Sequence, residues 1–161
     1  AIYDLANKLI IIPRTVLMSL NAALFPKIVI ENNKATIQKI IKYEFLIGLS
    51  VIGLIAAFGY WVILFLGGEM MTDAYPLAIV LSVTVLSWLV VGAIISFLFI
   101  PNHKYYLVTI NQILALISVA LFILCGFSIK ISIFVLVGAL AFSGIVEIIF
   151  CLFQTKKYKF L

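Results

Sequence analysis

Residues 45–66 read FLIGLSVIGLIAAFGYWVILFL, twenty-two positions without one charged side chain. A bilayer's hydrocarbon core, about 30 Å thick, is crossed by about 20 apolar residues of helix, so this stretch is long enough to span it. The rest of the chain repeats the pattern. Hydrophobic residues make up 66% of the 161 positions and charged ones 11%, with a mean hydropathy of +1.32. Soluble domains average about 45–50% apolar and about 25% charged, so a soluble globular domain is excluded, and disorder, coiled coil and a cysteine-dense secreted scaffold with it. The fold class expected is an all-α integral membrane protein with five transmembrane helices, at about residues 5–26, 45–66, 76–100, 105–127 and 131–153 of a single helical region.

Polar punctuation separates the spans: Gly67-Gly68-Glu69, Asp73 with Pro76, Pro101-Asn102-His103-Lys104, and Gly126-Phe127-Ser128 before Lys130. The longest link, 27–44, carries Ile37, Ile40 and Ile41 at helical spacing among Lys34, Lys39 and Lys42. It reads as an amphipathic helix on the cytoplasmic membrane surface, with a solvated loop as the alternative. Lysines orient the set, because short basic loops stay in the cytoplasm. Eight fall on the side of the 27–44 link, the Pro101 link and the tail, against Lys130 alone on the other. The C-terminus is therefore expected in the cytoplasm. The net charge of +5 matches this bias, so membrane lipid phosphates, and no nucleic acid, are the expected counter-ions. The opening Ala1-Ile2-Tyr3-Asp4 carries neither an initiator Met nor a signal peptide, which reads as a fragment of a longer polytopic chain.

Cys125 and Cys151 fall at opposite ends of their spans, too far apart for an intrachain disulfide. Tyr60, Trp61 and Tyr75 mark one interface, and Tyr43, Tyr105, Tyr106 and Tyr158 the other. Trp88 lies mid-span, to be read as a packing residue or as a platform for a sugar. Small residues four apart, Gly53 and Ala57, Ala78 and Ser82, Gly92 and Ser96, Ala139 and Ser143, predict close helix contacts.

The first span is the unusual one. Asn7, Arg14 and Asn21 recur at intervals of seven, with Asp4, Lys8 and Thr15 beside them, so one face is polar through the membrane depth. Arg14 sits near the midpoint, where insertion of a basic residue costs about 2.5–3.5 kcal/mol, and it should face a wet cavity or an acid. Pro13 predicts a broken helix beside it. Arg14, Lys8, Asn7 and Asn21 are the candidate binding residues, and a helix-fixing ion pair is the alternative for Arg14. Asn111 and Gln112 in the fourth span and Glu147 in the fifth reach similar depths, either as a gate or proton-linked point or as interhelical glue. His103 is the single histidine, and no metal-ligand spacing, phosphate loop or nucleophile elbow appears, so no metal, cofactor or catalytic residue is expected.

Three segments, Ile2-Tyr3-Asp4-Leu5-Ala6-Asn7-Lys8, the helix end Ala23-Leu24-Phe25-Pro26-Lys27-Ile28, and the basic link after it, carry a family resemblance. The chain resembles the C-terminal half of bacterial polysaccharide flippases, the O-antigen and capsule repeat-unit transporters of the multidrug/oligosaccharidyl-lipid/polysaccharide exporter superfamily. The resemblance implies the last five of twelve helices in a two-lobed, alternating-access transporter of the bacterial cytoplasmic (inner) membrane, not an enzyme. Its cargo would be an undecaprenyl-pyrophosphate-linked oligosaccharide, and its partners the membrane lipids and the missing N-terminal helices. Arg14 and Lys8 would match the family's cationic cavity lining, and Asn7 and Asn21 would bond sugar hydroxyls. A multidrug or toxin exporter of the same superfamily should show more intramembrane acids, and a polysaccharide polymerase or ligase a larger outer loop.

Overall fold

The computed structural model describes residues 1–31, 33–127 and 133–158, and all their side chains except those of Lys27, Val29, Ile30, Glu31 and Phe127. The elements are α1 (Ile2–Glu31), α2 (Lys34–Gly67), a 3-10 turn (Glu69–Met71), α3 (Ala74–Ile94) continued by a π-helical segment (Ile95–Phe99), α4 (Tyr105–Phe127) and α5 (Ile133–Lys157). All five α-helices are long and apolar enough to cross a membrane. The protein is thus an all-α chain of five membrane-length helices.

The largest departure from expectation is the 27–44 link. α1 continues to Glu31, and α2 begins at Lys34, where Asn33 Oδ1 caps the helix by accepting from the Ala35 amide at 3.0 Å. Residues 34–44 are therefore the first three turns of α2 and not a separate surface helix. The physical reason is the apolar face itself: Ile37 and Ile41 are buried beside Ile28, Val90, Ile94 and Phe97. Burying that face against protein removes it from water as completely as a membrane surface would, and continuity with the span adds a backbone hydrogen bond per residue. The 34 residues of α2 rise about 51 Å at 1.5 Å each, well beyond the membrane core, so its lysine-bearing turns project past it.

α1 also departs from expectation at Pro13. The helix runs unbroken across both Pro13 and Pro26. Pro13 withholds a donor from the Leu9 carbonyl, and the neighbouring hydroxyls bond elsewhere, Thr15 Oγ1 donating to the Ile11 carbonyl at 2.8 Å and Ser19 Oγ to the Thr15 carbonyl at 2.9 Å. At the far end of α2, Gly68 adopts φ 69°, a left-handed turn that stops the helix before the 3-10 turn.

α3 is the centre of the bundle, packing on α1, α2 and α5, while α4 lies outside against α5. Of the most apolar window of each helix, 56% is buried in α3 and 6% in α1. Close approach is achieved by small residues. Ala78, Ser82, Ala139 and Ser143 are all buried, as their spacing predicts. A Cβ on Gly144 would fall 2.5 Å from Ser87 Oγ, and one on Gly48 would fall 2.6 Å from Leu86 Cδ1. The pairs Gly53–Ala57 and Gly92–Ser96 do not pack helices: Gly53 and Ala57 are exposed, and a Cβ on Gly53 or Gly92 would meet nothing within 4 Å.

Two buried clusters fill the bundle. One, near the α1–α2 junction, joins Ile28, Ile37 and Ile41 to Phe97, Phe99, Leu107 and Cys151. The other joins Ala6 and Ile10 to Ile55, Ile63, Leu77 and Val85. Tyr60, Trp61 and Tyr75 meet edge to face at one end, where the Tyr75 hydroxyl donates to the Ala56 carbonyl. The Tyr106 and Tyr158 hydroxyls meet at the other. Cys125 is exposed, Cys151 is buried, and neither forms a disulfide.

Candidate functional site

The polar face of α1 lies along α3 and mostly outside the protein core. Heptad spacing keeps Asn7, Arg14 and Asn21 near one helix face, all three are half-buried, and Arg14 and Asn21 lie beside residues of α3. Arg14 lies over the Trp88 ring of α3, its guanidinium carbon 3.4 Å from the ring centroid. Among the described residues its close partner is this aromatic face and not a carboxylate. The guanidinium's weak hydration and flat shape suit such stacking, which contributes about 0.5–2 kcal/mol according to how far water is excluded. Trp88 is accordingly not a core residue: it is 44% exposed, on a helix whose neighbouring positions Leu89 and Val90 are buried.

Below this stack opens a groove of about 390 Å³ between the two helices, with Met18, Asn21, Ala22 and Phe25 on the α1 side and Trp88, Gly92 and Ser96 on the α3 side. Phe25 and Phe97 stack at 6.2 Å toward its α1–α2 end. The π-helical segment supplies Ser96 and Phe97 to this wall, its register set by the Ile100 amide donating to the Ile95 carbonyl. π-bulges recur at functional sites because the extra residue re-aims the side chains around it. A second concavity of about 470 Å³ continues along α1 past Arg14, Thr15 and Ser19, sharing Met18 and Ala22 with the first. The chemistry on offer is a planar cation at mid-helix, an amide and a hydroxyl beside it, and an aromatic, apolar lower end.

Lys8 stands apart. Its ammonium pairs with Asp4 on the same helix at 2.9 Å, both side chains about two-thirds exposed, and it lines neither concavity. Asn7 is half-buried nearer the helix start and is likewise not part of the groove wall.

The second predicted cluster divides. Asn111, fully buried on α4, donates through Nδ2 to Glu147 Oε1 on α5 at 3.2 Å, and Cys151 Sγ donates to Asn111 Oδ1 at 3.5 Å. Gln112 faces outward and is exposed. This network lies between α4 and α5, separate from the α1–α3 groove, and its geometry is that of interhelical hydrogen bonding.

Glu44 is the residue that sequence reasoning misses. It is 5% exposed, both carboxylate oxygens take no hydrogen bond of standard geometry, and Asn21 of α1 is the polar side chain beside it. The signal is nonetheless present: Ile37, Ile41, Glu44 and Gly48 follow one another at helical spacings of four, three and four, on the buried face of α2. Counting Glu44 as the last residue of a polar link hides it.

Comparison with protein-family models, with curated proteins and with solved structures gives no match to this chain.

Proposed function

We propose that the chain forms one lobe of a membrane transporter that moves an amphiphile with an anionic, sugar-bearing head, of the undecaprenyl-pyrophosphate-linked oligosaccharide class, across the bacterial cytoplasmic membrane. The observation that carries this reading is Arg14, half-buried at the middle of a membrane-length helix and stacked on an exposed tryptophan at the mouth of a groove. A cation at that depth is costly unless it serves a ligand or a buried partner, and stacking leaves the guanidinium edges free to donate to phosphate or sugar oxygens. Asn21 adds an amide lower in the groove, and the Phe25, Phe97 and Ile100 end suits the first part of a lipid chain. The groove is open on one side, as a surface shared with a second lobe would be, and alternating access would expose it to each face in turn. The multidrug-exporter alternative is disfavoured by the positive sign of the groove's charge.

The test is complementation. The gene carrying this chain, with Arg14 intact or as Arg14→Ala, is placed in a bacterium lacking its repeat-unit flippase, and surface polysaccharide is assayed at matched membrane levels. Restoration by the intact gene and failure of Arg14→Ala is the expected result. Restoration by both reduces Arg14 to packing, and restoration by neither removes the oligosaccharide reading.

A further inference from the structure

We propose that a groove between α2 and α5, at the lysine-bearing end of the bundle, binds one anionic glycerophospholipid, with Lys42 and Lys156 on its phosphate and an acyl chain along Phe45 and Leu152. α2 and α5 each pack extensively on α3 and not on each other, and between them opens a concavity of about 410 Å³. Ile41 of α2 and Val90 of α3, both buried, form its base. Phe45 and Leu152 line it as exposed apolar side chains, and Gln38 and Lys42 line its α2 side. Lys156 follows Leu152 by four residues on α5, so it lies on the same helix face one turn nearer the helix end.

The order of these residues is the order of polarity in a phospholipid. Along α2, Gln38 and Lys42 precede Phe45, where the uncharged run 45–66 begins, and along α5 the apolar Leu152 precedes Lys156. The two helices run in opposite directions, so both lysines stand at one membrane boundary with the apolar side chains on the membrane side of each. A lysine placed there holds its ammonium at headgroup depth while its stem covers apolar surface. No acid competes for either one. Among the described residues neither Lys42 nor Lys156 pairs with a carboxylate, and Glu44 lies on the opposite side of α2, in a separate cavity with Asn21 and Leu89.

Charge selects the occupant. A second copy of the chain would bring its own lysines to the same depth, where like charges repel. A zwitterionic phospholipid carries an amine that opposes the lysines, and a free phosphate leaves the apolar end empty. An anionic phospholipid satisfies both ends, and by bridging two helices that scarcely touch it should stabilise the bundle by mass action. The inference stands whether or not the cargo is an oligosaccharide, because this groove lies on the Val90 side of α3 and the Arg14 groove on its Trp88 and Gly92 side.

The experiment takes the full chain in a neutral maltoside detergent and titrates it with phosphatidylglycerol, counting bound lipids by native mass spectrometry and following Tm. One saturable phosphatidylglycerol and a rise in Tm are expected. The half-saturation should rise about fivefold in Lys42→Gln and in Lys156→Gln, the effect of one lysine on an anionic lipid. Lys157→Gln removes the same charge one residue along, from a side chain set over the Tyr158 ring, and should leave the half-saturation unchanged. All three lysines are exposed, so these substitutions leave the packing intact. Equal weakening by all three reduces the binding to a diffuse attraction and overturns the site. Phosphatidylethanolamine binding as tightly, glycerol phosphate giving the same rise in Tm, or a protein dimer forming in place of the lipid complex overturns it as well.

Discussion

The α1–α3 groove and the α4–α5 interface each hold polar side chains within membrane-length helices, and they treat them oppositely. Between α4 and α5, Asn111 donates to Glu147 and accepts from Cys151, so the buried amide is satisfied on both its polar atoms. Between α1 and α3, Arg14 rests on a ring and lines an open concavity, and Asn21 stands between a groove and the buried Glu44. A closed network holds two helices together, whereas an open one is poised to bind. Position in a span does not separate the two cases. What separates them is whether neighbouring helices complete the hydrogen bonding.

The contrast is broken most severely by losing the cation. Arg14→Ala should reduce transport by tenfold or more with unchanged membrane abundance, because the groove loses the cation at its mouth. Arg14→Lys keeps charge but not planarity, and should fall between the two in the same surface-polysaccharide assay. Next in size is Gly144→Leu, which forces a side chain onto Ser87 at the α3–α5 contact and should cost about 1–3 kcal/mol in detergent unfolding. Gly92→Ala tests the complementary point. A Cβ there meets nothing within 4 Å, so stability should hold within about 0.5 kcal/mol. Larger side chains at Gly92 should instead reduce transport by filling the groove.

Asn111→Leu should lower stability by about 1–3 kcal/mol, because it leaves Glu147 without its partner, while the groove keeps its function. A transport loss as large as that of Arg14→Ala would erase the distinction between the two regions. The smallest effect belongs to Lys8→Gln. An exposed pair along one helix is worth about 0.3–0.5 kcal/mol, so neither folding nor transport should change measurably.

Several of these features are legible in the amino-acid sequence. Heptad spacing alone puts Asn7, Arg14 and Asn21 on one face, because a helix fixes which of its own residues are neighbours. Asn111 and Glu147 match in depth along their spans, and they do meet; Gln112, one residue along, shares that depth with Asn111 but turns outward. The 34–44 segment misleads because its lysines resemble a break, although they occupy the faces that Ile37, Ile41 and Glu44 leave free. Pro13 misleads as well, since α1 runs on through it as one helix at the loss of a single backbone hydrogen bond.

Composition determined five membrane-length helices and a polar stripe on the first, since uncharged runs of this length have few other stable forms in or out of a bilayer. The tertiary structure decided what that stripe faces. Whether Trp88 is core or platform, and whether Glu44 ends a loop or occupies a cavity, depends on how α1, α2 and α3 cross, and that crossing is set by side chains far apart in the chain. Local sequence governs a helix's own surface, and packing between helices governs which part of that surface becomes a site.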